Sequence, residues 1–175
     1  MQLNQTIIGD AREVLKTFDN ETVHLTWTSP PYFNAKDYSS YDSYQHYLDF
    51  LQEVFVEVFR MTKAGRMCVV NVSPVILSRE CRKKGERYED RKPSEKFESK
   101  RLPIPFHFFS LMETLGWKYL EDIIWAKPEG ASANRNGGFF QNRKPVAYKP
   151  NIVTETIFVF QKPADFLIDK IVQSY

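Results

Sequence analysis

A chain of 175 residues with 42% hydrophobic content is long enough to bury a core and too apolar for a disordered segment. No apolar run approaches the roughly 20 residues of a membrane helix, no leader-like stretch opens the chain, and Cys68 and Cys81 lack metal-ligand spacing. The reading is a soluble cytoplasmic protein of one domain, 1–175, with no metal site and no membrane partner.

Taken in order, residues 6–9 read as a short apolar strand ending in Gly-Asp. Asp10 follows as an N-cap for one or two helical turns over 11–17. Residues 23–28 form the next predicted strand, bounded by "DNE" and "SPP". From 44 to 62, Tyr44, Tyr47, Leu48, Leu51, Val54, Phe55, Val58 and Phe59 recur at three-and-four spacing, which puts them on one helix face. Gly65 is the expected C-cap. "MCVVNV" at 67–72 is an apolar, β-branched run of buried-strand length. A helix over 103–115 closes at Gly116, a strand follows over 118–127, residues 128–151 are loop, and 152–161 is a last strand. This alternation predicts an α/β fold with a mostly parallel sheet and an antiparallel C-terminal strand pair.

The net charge of +2 hides a separation. Residues 78–101 carry ten Lys/Arg against six Asp/Glu, and 127–149 carry five against one. Basic segments on an acidic body suit a polyanion, because Lys and Arg displace counterions from phosphates. The acids in 78–101 are equally compatible with a solvated, mixed-charge excursion from the core.

"WTSPPYFN" at 27–34 carries the chemistry. Proline fixes φ, lacks an N–H and drives the preceding residue out of helical geometry. Ser29 and Pro30 each precede a proline, so residues 29–31 are a stiff, extended loop just past a strand. Open α/β sheets place their sites at such strand ends. Carbonyls and the Ser29 hydroxyl can accept N–H bonds, and the Tyr32 ring offers a stacking face. That set fits a flat group bearing an amino group. The four letters also fit an ordinary turn or, less well after a strand, a proline-rich ligand.

"GDAREVL…VHLTWTSPPYFN", followed by the 44–62 helix, "GRMCVVNV", "GWKYLEDIIWAKPEG" and "NIVTETIFVFQKP", resembles the DNA amino-methyltransferases. More narrowly it resembles the group whose catalytic motif precedes its cofactor motif, and the likeness covers nearly the whole chain. The resemblance implies a partial Rossmann-like sheet and methyl transfer from S-adenosylmethionine to an exocyclic amino nitrogen in duplex DNA, on a flipped base. Serine before "PPY" points to cytosine-N4; adenine-N6 is the alternative. Carried over by position, Ser29 and the Pro30 carbonyl hold the amino group, Pro31 keeps the loop rigid and Tyr32 stacks on the base. Asp10 and Thr28 fall on the cofactor side, with a plain N-cap as the other reading of Asp10. Arg135, Arg143 and Lys144 are candidates for DNA contact.

The resemblance also implies a Phe-x-Gly-x-Gly cofactor motif after the last strand, and none of the seven glycines stands in a Gly-x-Gly. The expectation is an incomplete methyltransferase that needs a complementing polypeptide or a further C-terminal segment. A DNA-binding or assembly subunit, inactive alone, is the reading from another class. The strand at 23–28 should then be an exposed apolar edge.

Overall fold

In a computed structural model, which describes residues 4–33, 41–76, 101–128 and 154–165, the predicted helices form where their apolar spacing placed them. Helix α1 (Ala11–Val14) starts at Asp10, whose side chain accepts from the Arg12 backbone N–H, and runs into a 3-10 turn at Leu15–Thr17. Strand β1 is Val23–Thr28. Helix α2 (Tyr44–Met61) is capped by Ser43 and buries Tyr47, Leu51, Phe55, Val58 and Met61, the stripe read from the sequence. Strand β2 (Thr62–Val72) follows without a loop. Strands β3 (Val75–Ile76) and β4 (Arg101–Leu102) pair antiparallel, so the ends of the basic excursion are tied together. Helix α3 (Ile104–Thr114) leads through Gly116, at φ 94°, into β5 (Lys118–Ala126), and β6 (Thr154–Gln161) completes the sheet.

Three expectations are corrected. Residues 6–9 form no strand; Ile7 and Ile8 stand exposed instead. A strand needs a hydrogen-bonded neighbour as well as apolar side chains, and the described residues supply none. Gly65 is no helix cap: α2 stops at Met61, and Gly65 lies inside β2 at φ 74°, where its N–H reaches the Lys162 carbonyl at 2.9 Å. The sheet is not mostly parallel. Its order is β1-β2-β6-β5, with β1·β2 parallel and both β2·β6 and β6·β5 antiparallel. The antiparallel C-terminal pair is as expected, but β6 inserts at the centre of the sheet. Its "IFVF" core is apolar on both faces, and only a central strand buries both faces.

The two faces of this sheet are unlike. Cys68, Val70, Val72, Phe158 and Phe160 join α2 and α3 in one continuous core, where Phe108 meets Phe55 at 4.9 Å and Phe160 at 6.4 Å between ring centroids. The strand register puts Leu25, Trp27, Met67, Val69, Ile157, Val159, Ile123 and Trp125 on the other face. No described helix covers it, and Leu25, Trp27, Ile123 and Trp125 keep 55, 67, 48 and 46% of their surface exposed. Among the described residues β1 is an edge strand, as predicted, and no helix is long and apolar enough to cross a membrane.

Candidate active site

The SPPY loop leaves the carboxyl end of β1 and is pinned from below. Phe33, fully buried, packs edge-on against Tyr44 at 5.5 Å and lies 5.7 Å from Tyr47, so the first turns of α2 hold the loop's far end. Pro30 is buried, Pro31 and Tyr32 are half-buried, and Ser29 is exposed. Two prolines and an aromatic anchor leave the loop few ways to move. The Ser29 hydroxyl is thus presented to solvent from a rigid base.

Ser29 Oγ lies 3.4 Å from the Tyr32 hydroxyl, and that hydroxyl donates to Glu155 Oε2 at 2.9 Å. Glu155 is the second residue of β6 and is buried. The same Oε2 accepts from Asn71 Nδ2 at 2.6 Å, and Oε1 meets the Lys127 ammonium. Burial pushes the Glu155 carboxyl up, but the bonds from Lys127, Asn71 and Tyr32 outweigh it and leave it below the ordinary carboxylate range. Asn71 Oδ1, also buried, has no hydrogen-bond partner among the described residues. The three donors come from the ends of β2 and β5 and from the loop after β1, so the network ties three separate segments at one end of the sheet.

Of the residues expected from the sequence, Ser29, Pro30, Pro31 and Tyr32 lie together here, with Thr28 at the end of β1. Asp10 lies at the start of α1, where the Arg12 side chain and then its backbone N–H hold the carboxyl down at about 2. That carboxylate caps the helix and pairs with Arg12 at 2.7 Å, the alternative read from the sequence. Arg135, Arg143 and Lys144 lie outside the described residues, as does nearly all of 128–151. No group of three or more His, Cys, Asp or Glu among the described residues could hold a metal.

Sequence reasoning missed Phe33, Asn71, Lys127 and Glu155. Glu155 did carry a signal: it stands two and four residues before Ile157 and Val159, at an apolar parity of the strand. A charge at such a position needs partners.

A family model described as DNA methylase, of the N6/N4 methyltransferase group, matches residues 23–174. The Type II beta methyltransferase M.BslI of a Bacillus species is 29% identical over 89% of the chain and 16% of its own length. The Type II methyltransferase M.SmaI of Serratia marcescens is 29% identical over 70% of the chain and 47% of its own length. The chain therefore spans less than half of either curated relative. Among solved structures, a protein of Thermus thermophilus described as a DNA modification methylase, complexed with S-adenosyl-L-methionine, superimposes with a TM-score of 0.63 at 28% identity, over 91% of this chain and 54% of that one. The PvuII DNA methyltransferase, cytosine-N4-specific, shares the fold with a TM-score of 0.60 at 21% identity, over 95% of this chain and 52% of that one.

Proposed function

The chain belongs to the N6/N4 DNA methylase family, and from that premise we propose that it is the catalytic part of a site-specific methyltransferase acting on an exocyclic amino group, cytosine N4, in duplex DNA. One observation carries the reading: a rigid SPPY loop at the end of β1 presents an exposed Ser29 above a buried Phe33. In this reading Ser29 Oγ and the Pro30 carbonyl accept the two amino N–H bonds and orient the nitrogen lone pair. Acceptors fixed in advance need no rearrangement as charge develops. Tyr32 stacks on the flipped base, as enzymes acting on bases require.

S-adenosylmethionine is the methyl donor, bringing an electrophilic methyl group to that nitrogen. The described residues do not build a cradle for its methionine part: of the glycines in the described segments, Gly9, Gly65 and Gly116, none stands at the carboxyl end of β1 or β2. We assign that cradle to a complementing polypeptide or a C-terminal segment with a glycine-rich motif, and Asp10 and Thr28 to its margin. The apolar sheet face that no described helix covers, and the β1 edge, suit such a complement, because large exposed apolar patches mark interaction surfaces. Arg135, Arg143 and Lys144 are assigned to the DNA, and the workplace to the cytoplasm.

The test is nucleoside analysis of duplex DNA incubated with S-adenosylmethionine and the chain joined to its complement. N4-methylcytosine is the expected product. N6-methyladenine moves the target to the other base of the family. Neither product, in DNA that the assembly binds, leaves a DNA-binding subunit as the better reading.

A further inference from the structure

We propose that Glu155 is a positioning residue that sets the direction of the hydroxyl chain from Tyr32 to Ser29, making Ser29 Oγ an acceptor toward the substrate. The proposal rests on the amino-group reading of the SPPY loop and deepens it. A phenol has one proton to give. Here Tyr32 gives it to Glu155 Oε2 at 2.9 Å. Its contact with Ser29 Oγ, at 3.4 Å, then has only one consistent polarity, with Ser29 donating back to the Tyr32 oxygen. Once the Ser29 proton points inward, the lone pairs of Oγ face solvent, where they can accept from an amino N–H. If the chain ran the other way, Ser29 would present a proton to that N–H, and the two would repel.

Why a carboxylate should be buried at this place supports the assignment. A buried ion pair adds little stability over apolar side chains of the same size. Glu155 therefore does something an apolar residue cannot. With Asn71 and Lys127 as its other donors, Glu155 is held as an acceptor alone, since an ionised carboxylate has no proton to give. The unshared polarity of that one group orders the whole chain. Asn71 comes from β2 and Lys127 from the end of β5, so the sheet itself fixes where the acceptor stands. Tyr32 is fixed twice, by its hydroxyl on Glu155 and by its ring against the core.

Two measurements test this. The first is kinetic, in the complemented enzyme. Glu155→Gln offers an amide that can donate as well as accept, and Tyr32→Phe removes the middle link. Each should lower kcat about tenfold to a hundredfold, by analogy with the loss seen when the outer partners of a metal site's ligands are removed, with KM for DNA and for S-adenosylmethionine unchanged. The double variant should lose no more than the worse single one. Additive losses, or a loss carried in KM, overturn the proposal. The second needs no turnover: carbon-13 NMR of the tyrosine ζ-carbons in the whole chain. Glu155→Gln should move the Tyr32 signal and leave that of Tyr119, which bonds Asp122, in place. An unmoved Tyr32 signal overturns the clamp. If Glu155→Gln does not fold, Tyr32→Phe carries the kinetic test from the other end, and unchanged kcat overturns the proposal. Failure of the amino-group reading shows differently: Ser29→Ala would leave the rate unchanged while the Tyr32 signal still answered to Glu155.

Discussion

On one face of the sheet, Val70, Val72, Phe158 and Phe160 lie beneath two helices in a continuous core. On the other, Leu25, Trp27, Ile123 and Trp125 stand in the open, although Val69 and Val159 between them are buried. Both faces are apolar, so composition does not separate them. What separates them is that the described helices cover one face and not the other. The helix-covered face supplies stability and anchors the SPPY loop through Phe33. The open face carries Glu155 and Asn71 at its end, and with them the polar network of the candidate site. The main described core and the candidate site's polar network thus lie on opposite sides of one sheet.

The largest effect that would break this comparison belongs to the covered face. Phe108 is fully buried between Phe55 and Phe160. Phe108→Ala should destabilise the isolated chain by about 3–5 kcal/mol, the transfer and cavity cost of a large core side chain. Urea unfolding of the two proteins side by side reads this as a lower midpoint at unchanged slope. A loss below about 1 kcal/mol would mean that the helical face is not the main core.

Next in size is the loop between the faces. Ser29→Ala removes one preorganised acceptor and should cost about 10²–10³ in kcat in the complemented enzyme. Ser29 is exposed, so the melting temperature of the chain should not follow the rate. A fall in both would make Ser29 a structural residue, and the site would have to be sought elsewhere along the strand ends.

How much of this was legible depended on whether a residue's partners were near in sequence. Helix α2 was readable because three-and-four spacing is local, and β1 was read at its observed bounds because "DNE" and "SPP" punctuate it. The SPPY loop was readable for the same reason: proline restricts itself and its neighbour. The place of β6 was not, because strand order in space is decided by which strand can bury both faces, and chain order carries no such information. Residues 6–9 looked like a strand because the run is short and apolar, yet no described strand pairs with it. Glu155 joins Tyr32 across 123 positions and Asn71 across 84, so no local pattern could reveal that network. Its only sequence trace was a charge at an apolar parity.

The smallest effect sharpens the comparison most. Trp27 is as large as any core residue, yet it stands exposed on the open face next to the β1 edge. Trp27→Ser should change the stability of the isolated chain by less than about 0.5 kcal/mol, as surface changes do. The same change should weaken assembly with the complement by about 2 kcal/mol or more, since buried tryptophans dominate interfaces. Urea unfolding of the chain alone and titration of the complement into each protein read the two numbers separately. A stability loss comparable to that of Phe108→Ala would mean that this chain already covers its second face. A small loss in both would mean that the complement docks elsewhere, and the exposed tryptophan would need another reason. Only the split result, neutral alone and costly on assembly, marks the open face as the half of a core that awaits its other half.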